Sequence, residues 1–168
     1  MILTKEEILK EIKNKNIIIE PFNKDAIGPG SIDLTLENEI RVFEPTDKPV
    51  KIKDKTNYKE ITKKLIIKNT YLMKPGELIL GITKEKITLP GYLCGWLNSR
   101  SRYARLGLMV HITAPFIQPG VSNKQVLEIY NASPNNLELI PGERLCQLIF
   151  ERCEGFIKYH GEFRKQTL

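Results

Sequence analysis

The stretch KPGELILGITKEKITLPGYLCGWLN, residues 74–98, decides how the chain folds. Two Pro-Gly pairs, Pro75-Gly76 and Pro90-Gly91, punctuate short runs rich in leucine, isoleucine and threonine. Proline presets φ and glycine tolerates the positive-φ position of a tight turn, so each pair closes one strand and opens the next. Strands of about six residues, with turn signals about every 8–12 residues, mark a sandwich or barrel.

The rhythm resumes downstream. Residues 126–131 read as a strand, 133–136 as a turn, 137–140 as a strand, Pro141-Gly142 as a turn and 145–150 as a strand. Upstream, Thr4 and Glu7 form a capping-box pattern that opens a short helix with Ile8, Leu9 and Ile12 on one face and a stop at residues 14–16. A brief strand over 17–19 follows, and then GPGSIDLTL, residues 28–36. Here Ile32, Leu34 and Leu36 alternate with Asp33 and Thr35. Asp33 is expected to organise the turn or to pair with an arginine elsewhere. Residues 39–50 read as another strand, and Tyr58, Ile61 and Leu65 as one or two helical turns. Residues 101–106, stopped by Gly107, form the single helix expected in the second half.

Composition narrows the class. At 168 residues, with 41% hydrophobic and 27% charged residues, the chain is bounded as one soluble domain with a proper core. It has no run long enough for a membrane helix and no signal-peptide pattern, which together predict a cytoplasmic protein. The net charge of +6 is unevenly spread. Residues 47–70 hold Lys48, Lys51, Lys53, Lys55, Lys59, Lys63, Lys64 and Lys68. Without an interleaved aromatic series these read as a solvated surface rather than a nucleic-acid interface. Cys94, Cys146 and Cys153 form no Cys-x-x-Cys pair, and the odd count argues against a disulfide framework. With His111 and His160 the only histidines, zinc deaminase chemistry has no ligand set. His111, inside the apolar run 108–112, reads as a packed core histidine, so a Ser-His-Asp triad is not expected.

The chemistry gathers in residues 95–131, GWLNSRSRYARLGLMVHITAPFIQPGVSNKQVLEIYN. Arg100, Ser101, Arg102 and Arg105 fall within six residues and offer fixed donors to phosphate oxygens. Glu128, flanked by Val126, Leu127, Ile129 and Tyr130, has no basic partner in its own segment. An anion clamp and a half-buried carboxylate about one hairpin apart suit a charged small molecule.

SRSRYARLGLMVHITA, the Pro-Gly turn after it and VLEIYN resemble the dCTP deaminase branch of the trimeric dUTPase-like superfamily. GSIDLTL, PGELILG, ITLPGYLCGWL, PGERLCQLIF and a tail with Tyr159 and Gln166 match in the same order, so the resemblance spans nearly the whole chain. It implies a mainly β fold, a distorted jelly-roll-like β-barrel with a short N-terminal helix and one short central helix. It also implies a homotrimer with active sites between subunits and a C-terminal tail, about residues 154–168, that closes over the site. Position by position, Arg100, Ser101 and Arg105 correspond to triphosphate and active-site residues. Ala114 would present its carbonyl to the attacking water, Glu128 would be the acid/base, Val126 and Leu127 would set backbone groups along the pyrimidine, and Tyr159 and Gln166 would close the site. Arg102 stands in place of the family's second serine, Ser99 in place of a glycine, and Glu162 in place of a phosphate-binding lysine that Lys158 or Lys165 would replace.

The implied reaction converts dCTP to dUTP and ammonia without a protein-held metal; Mg²⁺ would enter only with the triphosphate. Water must reach the ring carbon bearing the amine, the neighbouring ring nitrogen must gain a proton, and the amine must leave as ammonia. One carboxylate can shuttle these protons, worth about 10²–10⁴ in rate. A water held by Ser101, the Ala114 carbonyl and Glu128 would be oriented for attack, with apolar neighbours raising the Glu128 carboxyl. The sister reaction, dUTP to dUMP and pyrophosphate with Mg²⁺, uses an aspartate ahead of the turn, and here that position is Gln118. An amide holds water but cannot take its proton. This favours deaminase over dUTPase, whether sole or additional, and a nucleotide-binding protein with little turnover is the third reading.

Overall fold

The GPGSIDLTL alternation becomes the spine of the molecule. In the computed structural model, which describes residues 1–161 and 166–168, it is not a short strand followed by another but the first half of one twelve-residue strand, β2 (Ile32–Phe43). Ile32, Leu34, Leu36 and Ile40 point into the core, and the chain leaves the sheet after Phe43 rather than continuing to residue 50. The strand is long because its partners change along it. Residues 32–35 pair with β11 (Arg144–Arg152), while residues 39–43 pair with β3 (Thr62–Ile66) and residues 36–42 with β5 (Leu78–Thr88).

In chain order the elements are α1 (Lys5–Lys13), β1 (Ile18–Glu20), β2, β3, β4 (Tyr71–Met73), β5, β6 (Leu93–Ser99), α2 (Ser101–Ala104), β7 (Leu108–Met109), β8 (Phe116–Ile117), β9 (Ser122–Asn131), β10 (Leu137–Leu139) and β11. Nine strands make one antiparallel sheet in the order β7-β9-β5-β2-β11-β6-β8, with β1 added beside β5 and β3 beside β2; β4 and β10 form a separate two-stranded ribbon. The fold is mainly β, a curled sheet with two short helices. The long strands β2, β5, β9 and β11 have 12, 11, 10 and 9 residues, well beyond the six expected. A glycine does not interrupt β5. Gly81 lies inside β5, where a Cβ would come within 2.8 Å of Ile129 Cδ1, so it marks close packing of side chains across the sheet.

The core is aliphatic, with Ile8, Leu34, Leu36, Ile40, Ile79, Leu127, Leu148 and Phe150 fully buried. Helix α1 closes one side of it with Ile8, but the capping box does not form: Thr4 makes no side-chain cap bond, and the Glu7 carboxylate accepts from Lys10 and Arg152 instead of reaching back. Glu11 is buried on the same helix and accepts from Asn16 Nδ2 (2.7 Å), Tyr92 Oη (3.0 Å) and pairs with Arg152 (2.9 Å). Asp33 meets its arginine, with Arg100 Nη2 3.0 Å from Oδ2.

The lysine segment holds a single 3₁₀ turn, Tyr58–Glu60, and Leu65 sits in β3 instead of extending a helix. The open side of β2 decides this. Arg41, buried, donates through Nε to Thr62 Oγ1 (2.8 Å) and through Nη2 to the Thr62 carbonyl (3.0 Å), which pins the chain into strand register. Helix α2 is shorter than the expected 101–106: it ends at Ala104, and a turn carries the chain to Gly107, which takes φ +83° packed so close to Ser133 that no Cβ fits. Among the described residues no helix is long and apolar enough to cross a membrane.

Candidate active site

Strand β9 buries every second residue: Asn123, Gln125, Leu127, Ile129 and Asn131 face in, while Val126, Glu128 and Tyr130 are half-exposed. One long edge pairs with β5 from residue 122 to 130. On the other edge, among the described residues, only Asn131 and Tyr130 pair, with β7. A cleft of about 390 Å³ runs along that open length and takes residues from both faces of the strand, including Glu128, Val126, Gln125 and Asn123.

The loop after β7 supplies His111 and Ala114, β8 supplies Phe116 and Ile117, and Gln118 follows at the turn. The C-terminal segment contributes Tyr159 and Gln166, and the lysine segment contributes Tyr58. Gln166 Nε2 donates to the Lys124 carbonyl at 3.2 Å, and Tyr58 Oη donates to the Thr167 carbonyl at 3.1 Å. The Gln125 N–H points the opposite way, to Thr83 Oγ1 of β5 at 2.9 Å. Backbone groups alternate along a strand, so Val126 shares the open edge with Lys124 while the groups of Leu127 turn toward β5. Leu127 itself is fully buried and not part of the cleft wall.

Glu128 is held by its neighbours across the cleft. Oε2 accepts from the Thr113 N–H (2.7 Å) and the Ile112 N–H (3.2 Å), and the Thr113 hydroxyl donates to Oε1 at 2.8 Å. Burial pushes the carboxyl up, but the Thr113 N–H and hydroxyl, the His111 ring and the Ile112 N–H together bring it below its ordinary value. The expectation that apolar neighbours raise it is therefore corrected: the donors outweigh the burial, and Glu128 is an anion at neutral pH. Removing the hydroxyl should move it back. Thr113→Val is expected to raise the Glu128 carboxyl and shift the acid limb of the pH–rate profile to higher pH, measured as kcat/KM against pH; an unmoved limb would show that another group sets it.

The arginine segment lies elsewhere in the chain. Arg100 is committed to Asp33 and, through Nη1, to the Arg144 carbonyl at 2.7 Å. Ser101, Arg102 and Arg105 are exposed on and beside α2, and none of the four residues lines the cleft that holds Glu128 and Ala114. Burial pushes the Asp33 carboxyl up more than Arg100, Arg144 and Arg102 pull it down. Lys158 is exposed, whereas Glu162 and Lys165 lie outside the described residues.

Besides Tyr58, three polar contributors escaped the sequence reading. His111 is not a packed core residue. It lines the cleft beside Glu128, with both ring nitrogens enclosed and lacking a hydrogen-bond partner among the described residues. Asn123 and Gln125 are the other two, and their signal was available: amides at inward positions of an otherwise apolar alternation. Among the described residues no group of three His, Cys, Asp or Glu gathers that could hold a metal ion.

Residues 2–153 match the family described as dCTP deaminase-like. The chain is 40% identical over 166 residues to the dCTP deaminase of Shewanella amazonensis, covering 92% of this chain and 85% of that protein. It is 37% identical over 150 residues to the "dCTP deaminase, dUMP-forming" of Corynebacterium glutamicum, covering 88% of this chain and 79% of that protein. In fold it is similar to the 2'-deoxycytidine 5'-triphosphate deaminase of Agrobacterium tumefaciens, with a TM-score of 0.71 at 19% identity over 91% of this chain; it spans 48% of that longer chain.

Proposed function

The chain belongs to the dCTP deaminase-like family and is an enzyme, and from that premise we propose that it hydrolyses dCTP to dUTP and ammonia with Glu128 as general base and acid. The observation that carries this reading is the ionised, donor-held carboxylate in a cleft of nucleoside size. Oε2 accepts from two backbone N–H groups, whereas among the described residues Oε1 accepts only from the Thr113 hydroxyl and keeps capacity for a water. Oε1 takes a proton from that water as its oxygen bonds to the ring carbon bearing the amine. It passes the proton to the adjacent ring nitrogen, then moves the second water proton to the amine, which leaves as ammonia. Carbonyl oxygens on the cleft wall, that of Ala114 first, would orient the water, and the open edge at Val126 would take up the pyrimidine.

The triphosphate needs cations that the cleft does not supply, since no Lys or Arg is among its described lining residues. Arg100, Ser101, Arg102 and Arg105 would reach it from another copy of the chain, in a homotrimer whose sites lie between subunits. Tyr159 and Gln166 would cover the nucleotide. The one carboxylate among the cleft's described residues is already engaged by Thr113 and Ile112, so Mg²⁺ is assigned to the phosphates as the substrate's counterion. A nucleotide-supplying enzyme of this kind would work in the cytoplasm.

The dUMP-forming relative favours one second reading, a dCTP deaminase that also hydrolyses dUTP. Gln118 lines the cleft at the relevant position, and an amide cannot act as base there. Incubating the protein with dCTP and, separately, with dUTP in the presence of Mg²⁺ decides. Ammonia and dUTP from dCTP, with dUTP left intact, is the expected result; dUMP and pyrophosphate from either nucleotide establishes the second reading; and no product from dCTP overturns the proposal.

A further inference from the structure

We infer that Gln125 reads the sugar of the nucleotide, its Oε1 accepting a hydrogen bond from the 3'-hydroxyl. This rests on the deaminase reading above and deepens it. Gln125 is 6% exposed and yet lines the cleft, on a face of β9 that is otherwise apolar from Leu127 to Ile129. Burying an amide costs free energy unless its groups are satisfied. Half of this amide is satisfied within the strand: Nε2 donates to Asn123 Oδ1 at 2.7 Å and approaches the Asn123 carbonyl at 3.5 Å. Two oxygens around one nitrogen fix which end of the amide is which. Oε1 is thereby turned away from Asn123, and it accepts no hydrogen bond among the described residues. An oriented acceptor on a largely buried side chain, itself open to a cleft, is a reader of donors.

Position selects the donor. A strand advances about 3.4 Å per residue, so Gln125 lies on the order of 10 Å from Glu128 along β9, about the length of a pyrimidine nucleoside. With the reacting base edge at Glu128, the other end of the nucleoside reaches Gln125. The phosphate end is ruled out there, because the described lining holds no Lys or Arg and an amide oxygen repels phosphate. The donor a deoxynucleoside offers at that end is its 3'-hydroxyl.

The test compares dCTP with 2',3'-dideoxycytidine triphosphate, on the wild-type chain and on Gln125→Met, which keeps the length of the side chain and removes its acceptor. The wild-type protein is expected to favour dCTP by about ten- to hundredfold in kcat/KM, since the dideoxy analogue leaves a buried acceptor unpaired. In Gln125→Met the preference should collapse to within about threefold, through KM for dCTP rather than kcat. A Gln125→Met enzyme that keeps the full wild-type preference overturns the inference while leaving the deaminase reading intact. The wild-type comparison needs no folded variant, and equal rates on the two nucleotides overturn the inference by themselves. A wild-type chain that neither binds nor deaminates dCTP overturns the deaminase reading and this inference with it.

Discussion

Replacing Glu128 by glutamine is expected to lower ammonia release from dCTP by about 10²–10⁴-fold or more, with nucleotide binding nearly unchanged. Glutamine keeps the size of the side chain and an oxygen that can still accept from Thr113, so the loop from Ile112 to Thr113 stays in place. What disappears is the carboxylate that the proposed mechanism uses to carry protons. The readouts are ammonia release and the shift in thermal unfolding temperature that dCTP produces. A variant that still deaminates at a wild-type rate would remove Glu128 from the reaction. The charge state sharpens the expectation. Because the folded carboxyl lies below its ordinary value of 4.5, its hydrogen bonds contribute stability that is present above that value and is lost as pH falls through the lower, folded value. The wild-type rate should therefore hold steady through neutral pH and fall only in acid.

The second large effect is structural. Phe150→Ala is expected to cost about 3–5 kcal/mol of folding stability, a large share of the roughly 5–15 kcal/mol available to a domain of this kind. Phe150 is fully buried on β11, which lies between β2 and β6 in the sheet. The aliphatic side chains around it cannot collapse into a void of that size, because the strands carrying them are tied on both sides. A urea titration should show a lower midpoint, with dCTP turnover per folded molecule preserved because Phe150 does not line the cleft. A midpoint unchanged from wild type would show that the core repacks around the loss.

How far the sequence foretold this can be argued from particular residues. The alternation of Ile32, Leu34 and Leu36 specified an inward face, and the structure buries all three. Period-two burial is a local property, and a strand reveals it to anyone who counts by twos. Strand length is not local. Whether Phe43 ends a strand depends on β3 arriving beside it, and nothing in residues 39–50 states that Thr62 will bond to Arg41. The site divided along the same line. Glu128 stood out because a lone carboxylate among apolar neighbours is conspicuous. His111 did not, because an imidazole in an apolar run reads alike whether its nitrogens meet core or cleft. The Arg100 cluster read as an anion clamp, and within one chain Arg100 pairs with Asp33 while the cluster lies outside the Glu128 cleft, a separation that closeness in sequence does not state. The direction of the Glu128 shift was lost for a related reason, since the decisive donors come from Ile112 and Thr113 and not from the strand that carries it.

The shared strand at the centre of the sheet also orders the events of folding. Strand β2 needs β5 and β3 along its second half and β11 along its first. Around its start, Ser31 bonds Gln147, 116 residues further along the chain. During synthesis the second half of β2 can therefore zip up early, while its first half waits, edge bare, until β11 has left the ribosome. Pairings over such separations pay their loop-closure entropy before any contact repays it, which slows folding. The rate-limiting event should be the docking of β11 between β2 and β6, with the nascent chain reliant until then on the β2–β5–β9 layer for its compactness.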